Sequence, residues 1–323
     1  MSAVRTLTVL AAIALSASAF AQPAKKKPPA PPPPAPAAEP QDPNADIAYA
    51  AFQRGQYLTA LNEASKRAQQ NDPVAMTLLG ELYAQGLGVP RNDQKAADWY
   101  KLAASKGDRN AMFALAMFNF EGRVGAKKPD EAAHLLSDAA KLGHPAAEYD
   151  LGLLYLQGQQ FPQDFKRAAE LFESASKAGN PEAQYALATM YKEGRGVAKD
   201  EKRATQLMGL ASLSGNLDAM VEYAIAEFNG TGVPKNESGA AQLLRKAANR
   251  GSAIAQNRLA RILMAGRGMS ANPAEAIKWH IISKELGASD PELDLFAAKQ
   301  PADVRDAAQK EAQKWLSTAP PRS

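Results

Sequence analysis

An all-α fold, a right-handed α-solenoid of helix–turn–helix repeats with a 36-residue period, is what this sequence predicts, and three observations carry it. The first is self-similarity. Glycines recur at Gly86, Gly122, Gly158, Gly194, Gly230 and Gly266, and again at Gly107, Gly143, Gly179, Gly215, Gly251 and Gly287, each 36 residues after the last. Two alanine registers, beginning at Ala75 and Ala96, run in step with them. The second is composition: 46% of residues are hydrophobic but only 7% aromatic, so the apolar content is largely Ala and Leu, which favours helices over strands. The third is spacing. Between the glycines, Ala75, Leu79, Leu82 and Tyr83 follow the i, i+4, i+7, i+8 pattern of one helical face.

The N-terminal elements precede the repeats. Residues 1–21 read as a signal peptide: Arg5 supplies the positive start, Leu7 to Ala17 an apolar run, and Ala19-Phe20-Ala21 a cleavage site. The alternative is an uncleaved anchor, because Lys25, Lys26 and Lys27 follow the site and positive charge there hinders export. Cleavage predicts a periplasmic or secreted chain without a membrane span. Residues 22–43 are a Pro/Ala-rich disordered linker; ten of these 22 residues are proline, which gives no amide donor and cannot continue a helix. Residues 44–71 form an atypical first unit carrying Ala51-Phe52, Gly55, Tyr57 and Ala60-Leu61, with Asn71 where a glycine would end the helix.

Six regular units follow at 72–107, 108–143, 144–179, 180–215, 216–251 and 252–287. In the first, helix A runs from about Pro73 to Gln85, and Gly86-Leu87-Gly88-Val89-Pro90 breaks it. Asn92 or Asp93 caps helix B; the later equivalents of Asn92 are Lys128, Asp164, Asp200, Asn236 and Asn272. Helix B buries Ala96, Trp99, Tyr100 and Ala103 and ends at Gly107. A lone helix pair cannot bury both apolar faces, so the units must stack. Residues 288–323 break register; Leu293, Leu295, Phe296, Val304, Ala308, Ala312, Trp315 and Leu316 predict a helical lid on the last unit.

The first unit reads A-x-x-x-L-G-x-x-Y-x-x-G-x-G-V, then K-A-x-x-W-Y-x-x-A-A-x-x-G. This resembles the Sel-one-like repeat (SLR) family of the tetratricopeptide superfamily, exported bacterial type. Departures are Val124-Gly125 and Gln160-Phe161 in the loops, and Asn119, Glu227 and Leu263 in place of tyrosine. The resemblance implies an α-solenoid scaffold that binds protein partners, often in bacterial envelopes or signalling. Some exported relatives are disulfide-rich and linked to penicillin binding; this chain has no cysteine and departs from that branch.

Composition excludes several chemistries. Without cysteine there is no disulfide, thiolate metal site or cysteine nucleophile. A net charge of +4, with Lys and Arg dispersed, is not the basic stripe of a nucleic-acid binder. His134, His144 and His280 occupy different faces of different units, so no metal site, cofactor or catalytic triad is expected. Loops such as Gly230-Thr231-Gly232 lack G-K-[ST] and follow no strand. Ser174-Ala175-Ser176-Lys177 matches S-x-x-K, but at a helix end.

The helix A face opposite the core supplies the functional clue. By the family alignment it lines the concave surface, and its partner-binding candidates are Thr77, Glu81, Phe113, Met117, Phe120, Tyr149, Leu153, Leu156, Tyr185, Val221, Ile225, Phe228 and Arg261. Two readings stand: an exposed apolar groove that binds a partner, or residues that superhelical curvature buries between successive A helices. The expectation is a non-enzymatic, exported scaffold for an envelope protein or peptide, linked to a sensor, peptidoglycan or polysaccharide machinery. A cell-wall or glycan binder, or a penicillin-binding or hydrolysing enzyme, is the alternative.

Overall fold

The computed structural model describes residues 46–318. The expected signal peptide, its cleavage site, the proline linker and the last residues of the tail lie outside the described residues. Among the described residues all regular structure is helical, as predicted, and it forms an all-α solenoid that steps every 36 residues. The chain divides into two compact units, one up to Leu142 and one from Gly143 onward. The division falls at a repeat boundary, where the glycine register gives no sign of it.

In the first unit the atypical leading pair is α1 (Ile47–Gln53) and α2 (Tyr57–Gln69). The first repeat is α3 (Pro73–Gln85) and α4 (Asp93–Ser105), and the second is α5 (Arg109–Glu121) and α6 (Pro129–Lys141). The second unit continues with α7 (Pro145–Gln157) and α8 (Phe165–Lys177), α9 (Pro181–Glu193) and α10 (Glu201–Leu213). Then come α11 (Leu217–Asn229) and α12 (Glu237–Asn249), α13 (Ala253–Ala265) and α14 (Pro273–Glu285). It closes with α15 (Pro291–Ala298) and α16 (Ala302–Thr318).

Capping explains why every repeat helix has the same length. Asp72, Asp108, His144, Asn180, Asn216 and Ser252 each accept an amide from the first turn of a helix A, another 36-residue register. Asp72, Asp108, Asn180, Asn216 and Ser252 also terminate the helix before them through their backbone N–H. Asp108 N–H donates to the Ala103 carbonyl at 3.1 Å while Gly107 N–H donates to Ala104 at 2.9 Å, a Schellman motif. One residue thus ends one helix and starts the next. At the start of helix B, Asn92, Asp164, Asp200, Asn236 and Asn272 cap through their side chains. Lys128 does not; α6 begins instead with Pro129, and Asp130 and Glu131 face the positive helix end.

The hairpin within each repeat closes on backbone. Asn92 N–H donates to the Tyr83 carbonyl at 2.9 Å, and the same bond joins Lys128 to Asn119, Asn236 to Glu227 and Asn272 to Leu263. The tyrosine ring is not needed for it, so the three departures from tyrosine leave the hairpin intact. Regular loops also press their second glycine onto the preceding helix B: a Cβ on Gly196 would lie 2.2 Å from the Phe165 carbonyl oxygen. With Val124 and Gly125 exchanged, the second repeat uses Arg123 instead. Its guanidinium pairs with Asp93 at 2.6 Å, donates to the Ala84 carbonyl at 3.1 Å and covers the Phe118 ring.

The core confirms Ala75, Leu79, Leu82, Ala96, Tyr100 and Ala103 as buried. It also buries Met76, Leu78 and Ala84, because a helix A packs against its own helix B and against the previous one. Trp99 is only half-buried, whereas its equivalent Trp279 is buried and meets Trp315 of α16 edge-on at 6.0 Å. The predicted lid forms: Leu293, Ala308 and Ala312 are buried. Leu295 is the exception at 64% exposed, since the short α15 turns only one face to the repeats.

Candidate functional site

The candidate residues lie on successive A helices, and most are half-buried, so neither sequence reading is complete by itself. In the first unit Thr77, Glu81, Phe113, Met117 and Phe120 are all intermediate in exposure. Thr77 spends its hydroxyl on the Pro73 carbonyl, 3.0 Å away. Glu81 accepts from Gln85 at 3.0 Å; burial pushes its carboxyl up against the opposing pull of that bond.

In the second unit Tyr149, Leu153 and Leu156 of α7 pack against a core cluster that includes Phe172. The rings of Tyr149 and Phe172 lie 5.6 Å apart. Ile225 and Phe228 of α11 pack against the next cluster, and both keep part of their surface exposed. One candidate is corrected, and another is already ion-paired within the chain. Val221 is 4% exposed and leaves no surface for a partner, because it is part of a buried core cluster that also includes Leu244 and Leu259. Arg261 is already engaged: its Nε and Nη2 donate to Asp290 at 2.6 and 2.9 Å, and Nη1 donates to Glu292 at 2.7 Å. Its role is to fasten α15 onto α13.

Burial also marks the tyrosines of the stripe. Tyr149 and Tyr185 are both pushed up to about 12, by burial first and then by nearby acids: Asp150 and Glu182 for Tyr149, Glu222 and Asp218 for Tyr185. In an alkaline titration followed by ring NMR signals, both should ionise near 12, against about 10 for a solvated tyrosine. Ionisation of either ring near 10 would mean that its surroundings are open to water.

Between α11 and α13 the face deepens into a cleft of about 280 Å³. Ile225, Phe228 and Met264 give it an apolar floor, and Arg258, Arg261, Arg267 and Glu292 stand at its rim. Arg267 covers the Phe228 ring at 4.4 Å and pairs with Glu237, whose carboxyl is pulled down to about 2 by Arg267 and Lys235. Sequence reading had placed Arg261 in the stripe but missed Arg258, three residues earlier on the same helix. The signal that could have found it is a cation one turn from an apolar stripe.

Other chemistry resolves into structure. Ser174 Oγ donates to Glu148 at 2.7 Å and Lys177 pairs with Glu173 at 3.0 Å, so the S-x-x-K residues are separately occupied. His144 caps α7, its Nδ1 accepting from Ala147 at 3.1 Å. His280 is buried with Nε2 2.9 Å from Asp294, tying α14 to α15. Among the described residues no group of three His, Asp or Glu side chains could hold a metal ion. Nor is any described helix long and apolar enough to cross a membrane.

The helix-pair geometry is that of a known repeat. The Sel1 repeat family matches residues 73–108, 109–144, 145–180, 181–216, 217–252 and 253–287. This chain belongs to the Sel1 repeat family. The matched segments begin one residue after the units read from the glycine spacing. A Sel1 repeat protein from Oxalobacter formigenes is similar over 76% of this chain and 100% of its own, at 28% identity and a TM-score of 0.64. A protective antigen of uropathogenic Escherichia coli strains with an SLR fold is similar over 85% of this chain and 68% of its own, at 25% identity and a TM-score of 0.57. No curated protein matches the chain. Sel1 repeats mediate protein–protein interactions, and proteins built from them are generally non-enzymatic scaffolds.

Proposed function

We propose that this chain is a non-enzymatic, exported scaffold that holds an envelope protein or peptide on the A-helix face opposite the core. The supporting observation is the half-buried stripe. Phe113, Met117, Phe120, Tyr185, Ile225 and Phe228 retain surface on a helix face that polar residues would cover if only water met it. The apolar start of the sequence with its Ala19-Phe20-Ala21 site supports export to the periplasm or beyond. The same face would serve a partner in a sensor, peptidoglycan or polysaccharide pathway.

Photo-crosslinking side chains test this without unfolding risk from truncation. Installed at Phe120 and at Tyr185, they should join the full chain to one envelope polypeptide, while the same group at the exposed helix B residues Lys101 and Gln206 should not. Equal crosslinking from Lys101 and Gln206 would move the interface to the other face. A product made of polysaccharide rather than protein would favour cell-wall binding.

A further inference from the structure

Building on the scaffold reading, we propose that the cleft between α11 and α13 is a subsite for an acidic peptide. An apolar side chain of the partner would enter over Ile225, Phe228 and Met264, and a neighbouring carboxylate of the same peptide would pair with Arg258.

Size, charge and an internal precedent support this. At about 280 Å³ the cleft falls below the roughly 300–1,000 Å³ that encloses a drug-sized ligand, and it suits one or two side chains of a peptide. Its rim holds three guanidiniums in unequal states. Arg261 is neutralised by Asp290 and Glu292, and Arg267 by Glu237. Arg258 is exposed and has no acidic partner among the described residues. The preceding repeat has Glu222 at the equivalent position, and there Lys192 answers it at 2.7 Å. An apolar but neutral occupant would strip water from Arg258 and return no hydrogen bond, and a basic one would be repelled. A carboxylate alone gains a charge-assisted bond. Glu292 already shows the geometry: its carboxylate lies at this rim, 2.7 Å from Arg261 Nη1.

The test uses the full chain and an array of short synthetic peptides. Each carries a central Leu or Phe flanked by Asp/Glu, by Asn/Gln or by Lys/Arg. The parent should retain the acid-flanked class. Arg258→Glu, an exposed change whose fold is checked by circular dichroism, should weaken that class by about tenfold and shift preference to Lys/Arg-flanked peptides. Phe228→Ser should weaken apolar peptides of every class. Retention that ignores flanking charge and is unmoved by Arg258→Glu would overturn the subsite while leaving the scaffold reading in place. Retention of no peptide would also overturn the subsite. Crosslinking from Phe120 and Tyr185, which lie outside this cleft, then decides separately whether the scaffold reading falls with it. Self-association of the parent that Arg258→Glu abolishes would assign the cleft to a second copy and overturn the proposal in that way.

Discussion

Gly152→Ala should destabilise the second unit by about 1–3 kcal/mol, although alanine is the better helix former by about 1 kcal/mol. A Cβ on Gly152 would sit 2.5 Å from Phe172 Cε1, and Phe172 is fully buried with nowhere to retreat. The repeats show the compensation already made. Glycine faces an aromatic ring in Gly80–Tyr100 and Gly152–Phe172, whereas in the other repeats Ala116, Ala188, Ala224 and Ala260 stand at the glycine position and Leu136, Met208, Leu244 and His280 at the ring position. The double variant Gly152→Ala with Phe172→Leu should therefore recover about 1–2 kcal/mol relative to the sum of the single changes. Urea unfolding midpoints at constant slope measure it. A stabilising Gly152→Ala, or strict additivity, would show that these two helices do not approach so closely.

Arg261→Ala should release the C-terminal lid. The substitution leaves Asp290, 4% exposed, with Asn257 as its remaining side-chain partner, at 2.9 Å. Removing one member of a buried pair costs about 3–5 kcal/mol; the partial solvation of the Arg261 guanidinium lowers the expectation here to about 1–3 kcal/mol. Hydrogen exchange in α15 should accelerate first, with the α7 to α10 amides unchanged. Acid should do the same to the parent. Burial acts to raise Asp290, but the bonds from Arg261, Asn257 and the Leu293 N–H outweigh it, so its carboxyl is held below the usual carboxylate range. Its contribution is full above the ordinary value of about 4 and is lost as pH falls through the lowered folded value. Exchange in α15 should therefore rise below about pH 4 in the parent, with Asp294 adding to the step as it loses His280 and Lys284, and Arg261→Ala should show a smaller acid step. A pH-independent α15 in the parent would refute the role given to this pair.

What was legible in the sequence is what local physics decides. Helix lengths, turns and caps depend on residues within about one turn of each other, so Asn92, Gly86 and Gly107 could be placed before any tertiary contact was known. The 36-residue repetition then required the pairs to stack, which determined the family and the fold. The A-helix face was legible as a stripe by the same periodicity.

Distances between helices far apart in sequence decided the rest. Whether Val221 met a partner or the core depended on how neighbouring helices pack on α11, and it is buried in a core cluster. Arg261 does stand at the cleft, but α15 brings Asp290 and Glu292 to it, 29 and 31 residues further along the chain, and only the tertiary structure shows that pairing. The cleft holding Arg258 gathers residues of α11, α13 and α15 that lie far apart in sequence. The matched volumes of Gly152 and Phe172 were in plain sight as two separate registers. Close packing couples them, since a single methyl has no free space where helix axes approach most closely, and that coupling is visible only in three dimensions.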